Sequence, residues 1–150
     1  MKKFKFRLEG LLKIKRALER ETQYELMEAQ HLVDRQEKLV KDANQKIEDW
    51  SAYYDHILKT SGNAEYLGII DKHMQKLYRY REQLNISLDV LKRKKEDIVM
   101  QYNEIKKEVK TLEHLEEKKR LEHQEEMMKL EANLNDEMAM MRYARERSAV

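Results

Sequence analysis

The 150-residue chain has no cysteine, no proline, only three glycines (Gly10, Gly62, Gly68) and no long apolar run. Without cysteine there is no disulfide framework and no thiolate metal site. Turns usually use proline and glycine, so their scarcity argues against a many-turned compact domain and for long helices. No stretch approaches the roughly 20 apolar residues of a membrane-spanning helix. Neither sign of charge dominates: 31 Lys and Arg stand against 29 Asp and Glu, a formal net charge of +2. The signs are mixed along the chain, which argues against an extended nucleic-acid surface. The composition reads as soluble, cytoplasmic and elongated. Charged residues make up 40% and aromatics 7%, values that also occur in disordered chains, so periodicity has to decide.

Periodicity decides for helix. From Ala29 a 4-3 spacing runs through Val33, Gln36, Val40, Ala43, Ile47, Trp50, Tyr54 and Ile57. A second series runs Leu67, Ile70, Met74, Leu77, Arg81, Leu84, Leu88, Leu91, Lys95, Ile98, Tyr102, Ile105, Val109, Leu112. A 3.5-residue repeat held this long is the mark of a left-handed coiled coil. The faces between carry i,i+4 pairs such as Asp34/Lys38, Asp89/Arg93 and Glu116/Arg120, each worth about 0.2–0.5 kcal/mol.

The one clear stop is Lys59-Thr60-Ser61-Gly62-Asn63, where Gly62 and Asn63 tolerate left-handed backbone. A short loop between two helices makes them antiparallel neighbours. Folding there pairs residue i with a residue near 124 − i, so Trp50 faces Met74, Ile47 faces Leu77 and Val40 faces Leu84. Arg81 and Lys95 then face Ala43 and Ala29, over which a long basic side chain can lie with its head in water. The expected fold is all-α: a long two-helix antiparallel coiled-coil hairpin with an overhanging C-terminal helix. It forms one domain over 1–150, with helix one at about 4–59, a turn at about 60–64 and helix two at about 65–147. Helix one starts near Phe4, so its partner region ends near residue 120, and the paired part is about 85 Å long with an overhang of about 40 Å. The overhang keeps an apolar stripe, Met127, Leu130, Leu134, Met138 and Met141, and an exposed apolar face implies a partner.

Little points to chemistry. The histidines His31, His56, His73, His114 and His123 form no metal-ligand pair at helical spacing and read as solvated helix residues, so no metal is expected. No glycine-rich phosphate loop or nucleophile elbow is present, and a thin helical pair offers no concave pocket, so no cofactor and no enzyme activity are expected. The basic runs Lys92–Lys95 and Lys118–Arg120 read as solvated faces. Six of the eleven aromatics fall between Trp50 and Tyr80, and five of the nine methionines lie at 127, 128, 138, 140 and 141. Aromatic clusters and adaptable methionines both suit docking. The opening MKKFKFRLEGLLKIK is basic and then apolar, but its longest apolar run is Leu11-Leu12, too short for a secretory signal. Phe4, Leu8, Leu11, Leu12, Ile14 and Leu18 form a broad face that packs on helix two or an outside partner; an anionic membrane surface is the competing reading.

The opening Phe4, Phe6, Leu8, Glu9, Leu11, Leu12 resembles the start of the FliJ family of flagellar export proteins. The segment Asp136, Glu137, Met138, Ala139, Arg142 is similar to that family's closing motif. The resemblance implies a non-enzymatic, stalk-like antiparallel coiled coil of the flagellar type III export apparatus. It implies a cytoplasmic protein, peripheral to the inner face of the cell membrane at the flagellar base, without membrane insertion. Three partners follow from it: the hexameric export ATPase, the cytoplasmic domain of the export gate protein, and empty export chaperones. The ATPase ring would meet Leu8, Leu11, Leu12, Met138, Met141, Arg142 and Arg145. The gate would meet Ile47, Trp50, Tyr54, His73, Leu77, Tyr80 and Leu84. The alternatives are an injectisome stalk homologue, a generic coiled-coil scaffold, and a membrane-surface amphipathic protein.

Overall fold

The structure, a computed structural model, describes residues 2–149. It is all-α, a helical hairpin of two helices, α1 (Glu9–Thr60) and α2 (Ala64–Ser148), with no strand among the described residues. The stop between them combines two devices. Gly62 takes φ 58°, a left-handed conformation that costs an L residue about 1–2 kcal/mol. The Ile57 carbonyl accepts from both Ser61 and Gly62 N–H at 3.0 Å, which closes the last turn of α1. Asn63 is not left-handed. Its Oδ1 accepts from the Glu65 N–H at 3.1 Å and the Tyr66 N–H at 3.5 Å, so it caps the otherwise orphaned donors of α2.

Contacts divide the chain into two units, Arg20–Asn103 and Met1–Glu19 with Glu104–Val150. In Arg20–Asn103, every expected seam position is buried or half-buried on both helices. Cross-helix pairs fall close to the expected register. Trp50 packs on His73 with ring centroids 4.6 Å apart, numbers adding to 123, and the Arg81 guanidinium donates to Asn44 Oδ1 at 3.3 Å, adding to 125. The polar seam residue Gln36 donates through Nε2 to the Leu84 carbonyl at 3.1 Å. Among the described residues no buried side-chain nitrogen or oxygen lacks a partner, so the polar interruptions set register without leaving an unpaired buried group.

The seam also runs further toward the N-terminus than its apolar residues indicate. Leu26 is half-buried and Thr22 buried, continuing the 4-3 spacing. In the second unit the spacing goes on through Glu19 and Lys15, both half-buried, to Leu12, which is only 2% exposed. Lys15 Nζ lies 2.6 Å from Glu108 and Arg16 Nη2 3.3 Å from Glu113. Leu12, Phe6 and Val109 form the core of this unit, with Phe4, Leu8, Ile105, Leu112 and Leu115 packed against it.

One expectation fails at the N-terminus. Helix α1 begins at Glu9, not near Phe4, and residues 2–6 have no regular structure. The reason is visible in the spacing. Phe4, Phe6 and Leu8 alternate with polar residues at period two, which suits extended chain rather than helix. Gly10 weakens any attempt to start the helix earlier, and Glu9 sits where an acidic side chain favours a helix N-terminus. This strap, closed by a turn at Arg7 and Leu8 in which the Glu9 N–H donates to the Phe6 carbonyl at 3.2 Å, lies against α2, with Lys2 to Leu8 lining one groove with Leu115, Lys119, Glu122, His123 and Glu126. The intramolecular partner of α2 therefore ends near Glu126, not near 120.

Candidate functional site

The residues able to meet a partner are those that the internal packing leaves outside. At the strap, Phe4 sits against the His123 ring (centroids 5.7 Å) and under the Arg120 guanidinium (5.9 Å), while His123 Nε2 is 3.1 Å from the Lys2 carbonyl oxygen. His123 is thus half-buried and engaged, not the solvated histidine the sequence suggests. Leu8 is half-buried and Leu12 fully taken up by the core. The broad N-terminal apolar face accordingly splits in two. Leu8 and Leu12 point inward, whereas Leu11 (42%), Ile14 (65%) and Leu18 (39%) stay exposed at 3-4 spacing.

Beyond the strap, α2 has no partner among the described residues. Met127 is half-buried, and every described residue from Met128 onward is exposed. Leu130, Leu134, Met138 and Met141 are 60%, 54%, 54% and 63% exposed, and Arg142 and Arg145 are exposed beside them. Of the first candidate set, then, Leu11, Met138, Met141, Arg142 and Arg145 are accessible, Leu8 is partly so, and Leu12 is not.

The second set lies in Arg20–Asn103 and divides similarly. Ile47 and Leu84 are buried in the seam; Trp50, Tyr54 and Leu77 are half-buried; His73 and Tyr80 are exposed. Trp50 also meets the Tyr53 ring edge-on at 5.8 Å, and Tyr53 shares a 2.8 Å hydroxyl–hydroxyl hydrogen bond with Tyr66. That hydrogen bond, with lesser desolvation and charge effects, raises the Tyr53 hydroxyl above its ordinary value of 10.0. Tyr53 and Tyr66, absent from the sequence-based set, therefore extend this aromatic surface. Both belong to the aromatic cluster between Trp50 and Tyr80 noted in the sequence, but their pairing across the turn is visible only in the structure.

No group of three or more acidic, histidine or cysteine side chains able to hold a metal occurs among the described residues, and no helix is long and apolar enough to cross a membrane. The molecule belongs to the class of all-α helical hairpins that present side-chain surfaces along open grooves. The sequence model of the FliJ family, Flagellar FliJ protein, matches residues 4–148, and the chain belongs to this family. Membership makes it a component of the flagellar type III export apparatus, and the family is a non-enzymatic one. Neither a curated protein nor a solved structure matches the chain.

Proposed function

We propose that this chain is the stalk-like element of the export apparatus. In this reading it binds the hexameric export ATPase, links it to the cytoplasmic domain of the export gate protein, and binds empty export chaperones. It works at the cytoplasmic face of the membrane at the flagellar base, without insertion. It contributes binding energy and geometry, and the chemistry stays in the ATPase. The observation that carries this reading is the unpartnered stripe of α2, where Leu130, Leu134, Met138 and Met141 are all more than half exposed. A monomeric soluble protein rarely exposes so continuous an apolar face without a partner for it, and methionines adapt to an irregular counter-surface.

Within the proposed ring contact, Met138, Met141, Arg142 and Arg145 supply the accessible helical face, joined by Leu11 and the edge of Leu8; Leu12 acts only by holding Leu8 and Phe6 in place. Within the proposed gate contact, Tyr80 and His73 are the accessible groups, and Trp50, Tyr54 and Leu77 offer edges. Ile47 and Leu84 support them from the seam.

The test is the steady-state hydrolysis rate of the matching flagellar export ATPase, titrated with this protein. The expected result is saturable stimulation that disappears when residues 127–150 are deleted. No effect at any concentration, with the helices intact by circular dichroism, would refute the ring contact. For the gate, Tyr80→Ala is the cleaner probe, because Tyr80 is 48% exposed whereas Trp50 also packs internally on His73.

A further inference from the structure

The apolar stripe of α2, half-buried at Met127 and exposed from Leu130 onward, has a symmetry that a contact with an unrelated surface does not require. Met127, Leu130, Leu134, Met138 and Met141 are separated by three, four, four and three residues, a spacing that reads the same in both directions from Leu134. At 100° per residue these five side chains stay within an arc of about 80° on one face. In a two-fold pair whatever residue i offers to residue j is returned by j to i, and a spacing that reads alike in both directions lets the apolar side chains of two antiparallel copies meet level by level. About Leu134, Met127 matches Met141, Leu130 matches Met138, and Leu134 matches itself.

The charges select the direction. From Glu122 to Glu137 there are six acidic side chains against one lysine, Lys129; from Met138 to Ser148 there are three arginines against one acid, Glu146. A parallel pair would set acid beside acid and arginine beside arginine. An antiparallel pair sets each arginine end beside the acidic run of its neighbour, and such charge matching sets orientation.

We propose that the chain binds a second copy of itself through this stripe, as an antiparallel two-fold pair centred on Leu134. The apolar contact runs from Met127 to Met141, fifteen residues or about 21 Å of helix, and the arginine ends and the acidic runs over 122–126 flank it on either side. That is a small interface, at the weak end of specific association. The pair covers Met138 and Met141. If the ring reading above holds, the second copy and the ATPase compete for one face, so the self-pair is a reserve form with that face protected from other contacts. This consequence rests on the ring reading; the self-association does not.

The test uses the full chain alone, without ATPase. Sedimentation velocity from about 1 to 200 μM is expected to show reversible monomer–dimer exchange. Leu134→Arg sets two like charges across the axis and is expected to weaken it more than about ten-fold, with the circular dichroism unchanged because Leu134 makes no internal packing (54% exposed). The native chain lacks cysteine, so single cysteines report geometry directly. Leu134→Cys is expected to form an oxidised dimer readily. Met127→Cys is not, because its own copies lie about 21 Å apart in the antiparallel pair, far beyond disulfide reach. A monomer at every concentration overturns the proposal. So does a dimer in which both variants cross-link equally, which would be parallel, or in which Leu134→Cys does not cross-link.

Discussion

Two stretches of α2 carry the same kind of apolar spacing and meet opposite fates. From Leu67 to Leu112 each of the fourteen seam positions is buried or half-buried; from Met128 onward each described residue is exposed. Leucine and methionine occupy both. The difference is the presence of an internal partner, α1 for the first and none among the described residues for the second. Fully burying a leucine or methionine stabilises by about 1.5–3 kcal/mol. The first stretch contributes that to the fold. The second leaves it for another molecule, which is why the contact surfaces proposed for this protein gather there.

The largest expected effect breaks the comparison at its buried side. Leu12→Ala and Phe6→Ala each lower stability by about 3 kcal/mol, read by urea denaturation, whereas Met138→Ala and Leu134→Ala stay within about 0.5 kcal/mol. Equal losses on both sides would mean that the exposed stripe packs internally after all. The turn comes next. Gly62→Ala places an L residue at φ 58° with no steric clash beyond the Leu58 carbonyl oxygen at 3.9 Å, so it loses about 1 kcal/mol through the backbone dihedral alone. Slightly smaller and opposite in sign, Gly68→Ala gains about 0.8 kcal/mol, since a β-carbon there meets nothing within 4 Å and helix propensity rises. A loss at Gly68 would reveal a hidden contact on that face of α2.

The smallest effect concerns pH. Tyr53 is held protonated above its ordinary 10.0 chiefly by the Tyr66 hydrogen bond. A raised folded-state value means that its contribution is present below about pH 10 and fades as pH rises through the folded value. Ultraviolet titration of tyrosinate should show one late-titrating group in the native chain and none in Tyr66→Phe. Absence of that late group in the native chain would mean that the hydroxyl pair does not persist in solution.

Much of this architecture is legible in residue order. The spacing from Ala29 to Ile57 and from Leu67 to Leu112 identifies both seams, and Gly62 with Asn63 marks the reversal. Single polar seam residues such as Gln36, Arg81 and Lys95 are bridged by their apolar neighbours, but legibility ends where several consecutive seam positions are polar. Thr22, Glu19 and Lys15 occupy the α1 seam, but no hydrophobicity pattern detects them, because they are polar side chains whose depth depends on what lies opposite. The strap is a second case. Its period-two alternation is present in Phe4, Phe6 and Leu8, yet seven residues of alternating pattern next to a long helix read as more helix. The candidate surfaces were legible as positions rather than as accessible groups: Met138, Met141 and Tyr80 are exposed, while Leu12, Ile47 and Leu84 are consumed by packing.

By itself the sequence determined the two long helices, the point of reversal and which face of each helix is apolar. These follow from local dihedral preferences and from side-chain periods of 3.5 and two residues, properties a chain carries before it folds. Only the tertiary structure decided which apolar residues are spent inside. Burial is a relation between two surfaces: Leu12 and Leu11 are neighbours of the same type, yet one is 2% and the other 42% exposed, because the strap, Val109 and their neighbours meet only one side of α1.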